Sequence, residues 1–264
     1  MISIGIAGTW PPQLVAELAV QVESRGFGRL WVNDVPGGEA LAGLAAAATV
    51  TSTLHLATGV IALDRNPSAA VTTRVRELEL PRARLDLGVG SGSWQHPVPR
   101  VAKALNELRP LNARLWLGAL GPRMRRLAAE HADGLLLNWL TPAEVKAQAD
   151  LAAQQARAAG RPAPHIAIYV RTAVDPASDS VLAAEAARYA QFPGYAANFA
   201  RLGITALEAT IGSSAAVHDR VAEYEAAAGE VVVRLVVPGE PTLSDALRIL
   251  DAVHPAITSE ALER

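Results

Sequence analysis

The sequence predicts an α/β fold, a single (β/α)8 barrel spanning residues 1–264. Two observations carry this expectation and a third fits it. Short apolar runs that suit strands buried on both faces recur about every 20–30 residues, and segments of helical periodicity separate them. No low-complexity linker divides the chain. At 264 residues, half of them hydrophobic, the chain suits one large core better than two small ones. An open doubly wound sheet competes, but Gly88, Gly90 and Gly92 are spaced G-x-G-x-G, and no clear helix opens at once behind them.

Ser3–Ala7 reads as the first strand, followed by a helix carrying Leu14, Leu18 and Val22 on one face until Gly26 stops it. Arg29–Val32 is the second strand, ending at Asn33 and Asp34. The small-residue helix EALAGLAAAATV leads to the third strand, Leu56–Ile61. After the loop LDRNP, Asn66 can cap a helix with Pro67 at its first position. Leu85–Val89 is the fourth strand and runs into GVGSGS, with a brief helix at Val101–Leu108.

The stretch Leu115–Trp139 is one βαβ unit: LWLGAL as fifth strand, a helix opened by Pro122 after Gly121, and GLLLN as sixth strand. A helix start attracts acids, yet Arg123, Arg125 and Arg126 crowd this one. Free amides, a glycine and guanidinium groups together describe an anion site, most simply for a phosphate; a solvated basic face on a tight turn is the alternative. Thr141 to Glu144 forms a capping box opening a helix that runs to about Gly160. His165–Val170 is the seventh strand. Asp175 to Gly229 is mostly alanine-rich helix, with an ambiguous apolar piece at Ala206–Ile211. Glu230–Val237 is the eighth strand, and Thr242 caps a closing helix. The barrel therefore carries extra helices between its seventh and eighth strands.

A formal net charge of −2 without blocks of like charge offers no footprint for nucleic acid or a membrane surface, so neither partner is expected. With no cysteine, disulfides, thiolate metal sites and thiol nucleophiles are excluded. The N-terminus has no signal-peptide pattern and no apolar run reaches spanning length, so a soluble cytoplasmic protein is the expectation. His55, His96, His131, His165, His218 and His254 form no i, i+4 pair, and no metal site is expected. GVGSG is no nucleophile elbow, which argues against a serine hydrolase.

In such a barrel the active groups follow the strands. Those positions include Asp34, Asp64 to Asn66, Ser91 to His96, Gly118 to Gly121, Asn138 and Arg171, together with Trp10, Trp94 and Trp139. Three tryptophans with few charges suit a flat conjugated ring, or else simply pack the barrel mouth. His96 is the one histidine among these positions.

Four segments give the chain a family likeness: FGRLWVND, HLATGVIALDRNP, LDLGVGSG and LGALGPRMRRLAAEHADGLLLNW. QFPGYAANFARLG adds to them. In their order and spacing the chain resembles the bacterial luciferase-like flavin and deazaflavin oxidoreductases, which are (β/α)8 barrels. The resemblance implies a flavin-type ring in the barrel mouth and a phosphate held around Gly118, Ala119, Leu120, Gly121 and Pro122, with Arg123 beside them. Gly90, Ser91 and Gly92 would lie along the ribityl chain, with Asn138 next to it. Gly59 and Val60 match the place of a non-proline cis peptide against the ring. Coenzyme F420 is favoured over flavin mononucleotide (FMN), because the strand-two ending, the RNP loop and the GVGSG turn look closer to the deazaflavin branch. The implied activity is hydride transfer to or from a small organic substrate, and a homodimer is implied as well.

The chain also departs from the family. Where deazaflavin members read Asp-His after the second strand, it reads Asp34–Val35, and Gly92 to Ala113 is much shorter than the usual insertion. Asp34 and His96 are the catalytic candidates, although Asp34 can also simply cap the next helix. FMN-dependent chemistry is one alternative, and a non-catalytic flavin-binding homologue is another.

Overall fold

The computed structural model describes residues 1–253. The strands are β1 (Ile2–Ala7), β2 (Arg29–Asn33), β3 (His55–Thr58), β4 (Ile61–Ala62), β5 (Leu85–Gly90), β6 (Arg114–Gly118), β7 (Gly134–Asn138), β8 (His165–Thr172) and β9 (Glu230–Leu235). They pair in the order β3-β2-β1-β9-β8-β7-β6-β5-β4, every neighbour parallel, and β3 also pairs with β5. Because β3 and β4 are two halves of one barrel strand, the sheet closes as an eight-stranded (β/α)8 barrel.

Helices α1 (Pro12–Ser24), α2 (Ala40–Val50), α3 (Ser68–Glu77), α4 (Pro97–Leu108), α5 (Pro122–His131) and α6 (Pro142–Ala158) follow the strands in turn. The connection from β8 to β9 carries α7 (Pro176–Gln191), α8 (Pro193–Leu202) and α9 (Val217–Ala228), and α10 (Leu243–Val253) follows β9. The extra helices fall where the sequence put them. The ambiguous piece becomes a short 3-10 turn at Leu207–Ala209, and Ile211 forms a bridge to Thr172 at the end of β8. Apolar helix faces cover the outside of the sheet in one large core, while Trp31, Ala57, Trp116, Leu136, Ala167, Tyr169 and Val232 fill the barrel interior.

Local expectations shift at several points. The third strand is broken after Thr58, where the Gly59–Val60 peptide is cis. The Thr58 hydroxyl bridges the break, donating to Gly88 O at 2.8 Å and accepting from Gly88 N at 2.9 Å. Pro67, not Asn66, takes the N-cap of α3, and the Asn66 side chain instead donates from Nδ2 to Asp34. Thr141 caps α6 without a side-chain bond, so no capping box forms, and Glu144 only places its charge in the first turn. Helix α4 starts at Pro97, four residues before the expected Val101, since Pro97 suits the first turn. Thr242 does accept the Asp245 amide at 3.2 Å ahead of α10.

The amino-terminal end of the barrel is sealed by buried charge. Asp86 accepts from Arg29 Nε at 2.9 Å, Trp116 Nε1 at 2.9 Å and Arg114 Nε at 2.8 Å, and lies 3.1 Å from His55 Nδ1. Glu230 accepts from Arg29 Nη1, from Ser3 Oγ at 2.7 Å and from Trp31 Nε1 at 3.0 Å. Burial would raise the Asp86 carboxyl, but His55, Arg29, Trp116 and Arg114 outweigh it and hold it below the usual range. Removing one partner of such a buried set leaves the other charges uncompensated, so Asp86→Ala should lose about 3–5 kcal/mol in urea unfolding.

A second tie is Glu23 at the end of α1, whose Oε1 accepts the amides of Ser52, Thr53 and Leu54 and the Thr53 hydroxyl within 3.0 Å. Burial opposes ionisation, yet these donors bring its pKa down to about 2. Stability from a depressed carboxylate is present above its unfolded pKa, about 4.3, and is lost as pH falls through the folded value. The gap in melting temperature between wild type and Glu23→Gln should therefore be full at pH 7 and shrink from about pH 5 toward pH 2.

Candidate functional site

With one end sealed, the opposite end, where the strands finish, holds a cavity of about 370 Å³. Asp34, Val35, Gly59, Val60, Gly90, Ser91, Gly92, Gly118, Ala119, Leu120, Gly121 and Asn138 line it. The Val60 side chain presses on this wall: a Cβ on Gly90 would lie 2.8 Å from Val60 Cγ2, and one on Gly118 3.0 Å from Cγ1. The glycines of strand ends β5 and β6 are thus the room that the cis bulge occupies.

At Gly121 the geometry differs. A Cβ there would meet nothing within 4 Å, and the amides of Leu120 and Gly121 make no hydrogen bond among the described residues. Pro122 supplies the first residue of α5, and the turn presents free N–H groups at a positive helix end. The three arginines part company. Arg123 is exposed and unpaired, Arg126 is exposed and donates to Glu130 at 2.6 Å, and Arg125 is buried. The basic-face alternative therefore describes two of them and fails for the third.

The loop after β4 ties two neighbouring loops together. Arg65 Nη2 donates to Asp34 Oδ2 at 2.9 Å and to Asp34 O at 3.1 Å, and Asn66 Nδ2 donates to Oδ2 at 3.0 Å. Both side-chain bonds fall on Oδ2, and Asp34 Oδ1 has no hydrogen-bond partner among the described residues. On the other side Asp64 accepts the Ser93 amide at 2.9 Å and hydroxyl at 2.7 Å. Burial opposes ionisation of Asp64, but these bonds and Arg65 keep its carboxyl below the ordinary range. Gly92 makes the approach possible, with φ of 58° and a Cβ position only 1.8 Å from Asp64 Oδ1.

Tyrosines, not tryptophans, supply the aromatic walls: Tyr169, Tyr189 and Tyr195 line the cavity. Trp10 is buried in the outer core, Trp94 is half-buried under Arg100, and Trp139 is fully buried among Tyr189, Phe199 and Arg171. Trp139 has φ of 56°, which turns its ring under α7 and α8 rather than into the opening. Burial, reinforced by Tyr189, pushes the Tyr195 hydroxyl up to about 12, and burial raises Tyr169 further. Both stay neutral at physiological pH.

Arg171 on β8 organises this wall. Its Nη1 donates to Asn138 Oδ1 at 2.7 Å and its Nε to Glu185 Oε1 at 2.8 Å, and its guanidinium lies 3.9 Å from the Trp139 ring centre and 4.8 Å from that of Tyr189. With its oxygen held by Arg171, Asn138 turns its amide N–H groups toward Tyr195 and the cavity.

Of the catalytic candidates and the residues that the resemblance implied for the coenzyme, all but three line this cavity. His96, Pro122 and Arg123 instead line a neighbouring groove between α4 and α5 of about 770 Å³. His96, with φ of 50°, is the N-cap of α4 and is carried away from the opening as the chain enters Pro97. Among the described residues no group of three or more His, Asp or Glu is placed to hold a metal ion, and no helix is long and apolar enough to cross a membrane. His254 lies outside the described residues.

The sequence placed Arg65 at the catalytic end without giving it a partner, and left Tyr169, Tyr189 and Tyr195 without a role. Tyr169 was findable, because it shares the inward face of β8 with Ala167. Tyr195 lies within QFPGYAANFARLG, and Tyr189 had no signal beyond its helix.

Known proteins share this fold. The pattern of the luciferase-like monooxygenase family matches residues 5–108 and 95–246. The chain belongs to that family. A 5,10-methylenetetrahydromethanopterin reductase from Methanolobus tindarius is 24% identical over 188 residues, 57% of this chain and 58% of the relative. The match therefore spans less than two thirds of that relative's length. Among luciferase-like folds, an F420-dependent secondary alcohol dehydrogenase in complex with an F420–acetone adduct superposes with a TM-score of 0.71 at 18% identity, covering 96% of this chain and 99% of that one. A riboflavin lyase with modified FMN and riboflavin gives 0.72 at 12% identity, covering 100% and 92%. These likenesses establish the shared barrel.

If Arg171 holds the tyrosine wall, Arg171→Met should cost about 3–5 kcal/mol by leaving Glu185 buried without its cation. Urea unfolding checks this, and the loss should lessen on acidification. Burial opposes the Glu185 charge, but Arg171 and Arg234 hold its carboxyl below the usual range.

Proposed function

We propose that this luciferase-like protein is an oxidoreductase that transfers a hydride between coenzyme F420 and a small organic substrate. The observation that carries the reading is the convergence of Asp34, the RNP loop and the GVGSG turn. The strand-two ending and the RNP loop are bound to each other through Arg65 and Asn66 on Asp34, and the residues flanking the RNP loop and the GVGSG turn are bound through Asp64 and Ser93. The F420-dependent dehydrogenase with the same barrel supports this reading.

The residues fit such a group. A cavity of about 370 Å³ is within the range of ligand sites and suits a tricyclic ring among neutral tyrosines. The open Gly121 turn, with free amides at a helix start, suits a phosphate. Gly90, Ser91, Gly92 and Asn138 would flank the chain between ring and phosphate. When bound, the coenzyme supplies a hydride donor or acceptor, and the protein supplies position and electrostatics. Asp34, held by Arg65 and Asn66, offers its free Oδ1 as a hydrogen-bond acceptor for a substrate hydroxyl. Val35, next to it in the cavity lining, offers no polar group for that task. His96 is too far into the neighbouring groove to share that task. The proposal includes one barrel unit over residues 1–264 and a homodimer in the cytoplasm.

Parallel calorimetric titrations with F420 and FMN test the reading. F420 should bind with micromolar or lower Kd and FMN more weakly. Tighter FMN binding assigns the flavin alternative, and no binding of either overturns both. With small secondary alcohols as a substrate panel, Asp34→Asn should lower the rate of F420 reduction about tenfold or more while leaving its Kd within about twofold. Turnover of no substrate by wild type, with coenzyme bound, would favour a non-catalytic homologue.

A further inference from the structure

Arg125 is the fourth residue of α5 and is 3% exposed. Its guanidinium makes one hydrogen bond, from Nε to Ala119 O at 3.4 Å, and Nη1 has no partner. Burial, and then the nearby charge of Arg201, bring its pKa down to about 10, opposed by Glu144. On α8, Arg201 Nη2 donates to Asn198 Oδ1 at 2.6 Å, and the Asn198 Nδ2 is also buried without a partner. Arg125 thus has a second arginine and one acid, Glu144, near it, with an unused amide beside that second arginine, and it touches the Gly118–Gly121 turn at the Ala119 carbonyl.

A buried guanidinium with so little compensation destabilises the protein, and an apolar side chain would pack there without that cost. Such an arrangement is useful only where negative charge arrives from outside. The free amides of Leu120 and Gly121 lie on the same turn, on the cavity side.

We infer that Arg125 is a positioning residue for the phosphate of the bound coenzyme. It draws the Ala119 carbonyl back and sets a positive charge behind the amides that meet the anion. Because Nη1 is shielded from solvent, Arg125 acts through the turn and not by touching the ligand. The inference rests on the flavin-type reading of the cavity, and it adds that the phosphate, more than the ring, depends on this side chain.

The test compares wild type, Arg125→Leu, Arg125→Met and Arg125→Lys with paired ligands that differ in the phosphate. FMN is set against riboflavin, and F420 against its phosphate-free deazaflavin. In the two apolar variants the phosphate-bearing forms should bind about tenfold more weakly or worse, and the phosphate-free forms within about twofold of wild type. Arg125→Lys should keep most of the affinity, and the ligand-free melting temperature of the apolar variants should not fall. Unchanged binding of the phosphate-bearing forms overturns the inference. So does an equal loss for both members of a pair, which would mark a structural role.

Millimolar inorganic phosphate provides an arm independent of the coenzyme. It should raise the melting temperature of wild type but not of Arg125→Leu. If neither coenzyme binds wild type yet this difference appears, the flavin reading fails and the anion-directed role of Arg125 stands. If phosphate shifts both proteins equally or neither, the role itself is refuted.

Discussion

The structure depends on a small set of charges sealed inside one end of the barrel. Asp86 and Glu230 sit on β5 and β9, and Arg29, between them in space, reaches both from β2. Ser3, Trp31, His55, Arg114 and Trp116 complete the set, so that β1, β2, β3, β5, β6 and β9 are joined by side chains as well as by their backbone ladders. Trp31 and Trp116 meet edge to face, with centres 5.1 Å apart, and roof the charges over. A buried network of this kind is poor as a source of stability but strong as a constraint. Each partner is costly to leave alone, so relative strand positions are tightly specified. The cavity opens at the other end.

At that other end the cavity wall is made mostly of backbone. Glycines at strand ends β5 and β6 make room for Val60, and the Gly118–Gly121 turn presents amides instead of side chains. Rigidity comes from around the cavity: Asp64 and Arg65 fasten the loops on either side, and Arg171 fixes Asn138 and the tyrosine wall. The short connection after Gly92 is consequently a pinned rim. Specific side chains enter the cavity at few places, chiefly Asp34, Arg65, Asn138 and the tyrosines.

Much of this was legible in the chain itself, for physical reasons. Strands buried on both faces leave unmistakable apolar runs, and the barrel rule turns strand ends into a map of the cavity, which is why Asp34, Ser91 and Asn138 fall together. What remained hidden depends on where a side chain points. Arg29, Asp86, Arg114 and Glu230 stand at or near strand starts and read as solvent boundaries, although they face the barrel interior. Trp139 follows Asn138 directly, yet its left-handed backbone hides the ring. His96 turns away because the helix begins one residue later. Arg125 looks like one more surface arginine until its burial is seen.

The broken third strand carries a further consequence. The barrel closes where β3 and β4 meet β5, and at the break that closure is made by the Thr58 hydroxyl holding both the amide and the carbonyl of Gly88. The next two residues, Gly59 and Val60, form part of the cavity wall. Sheet closure and cavity wall are therefore one piece of chain. Any fluctuation that opens the seam also dismantles the binding surface, and whatever fills the cavity acts as a clasp on the seam. By mass action a bound molecule then slows amide hydrogen exchange at the seam in step with its own residence, which makes the Gly88 amide a reporter of occupancy without being a contact.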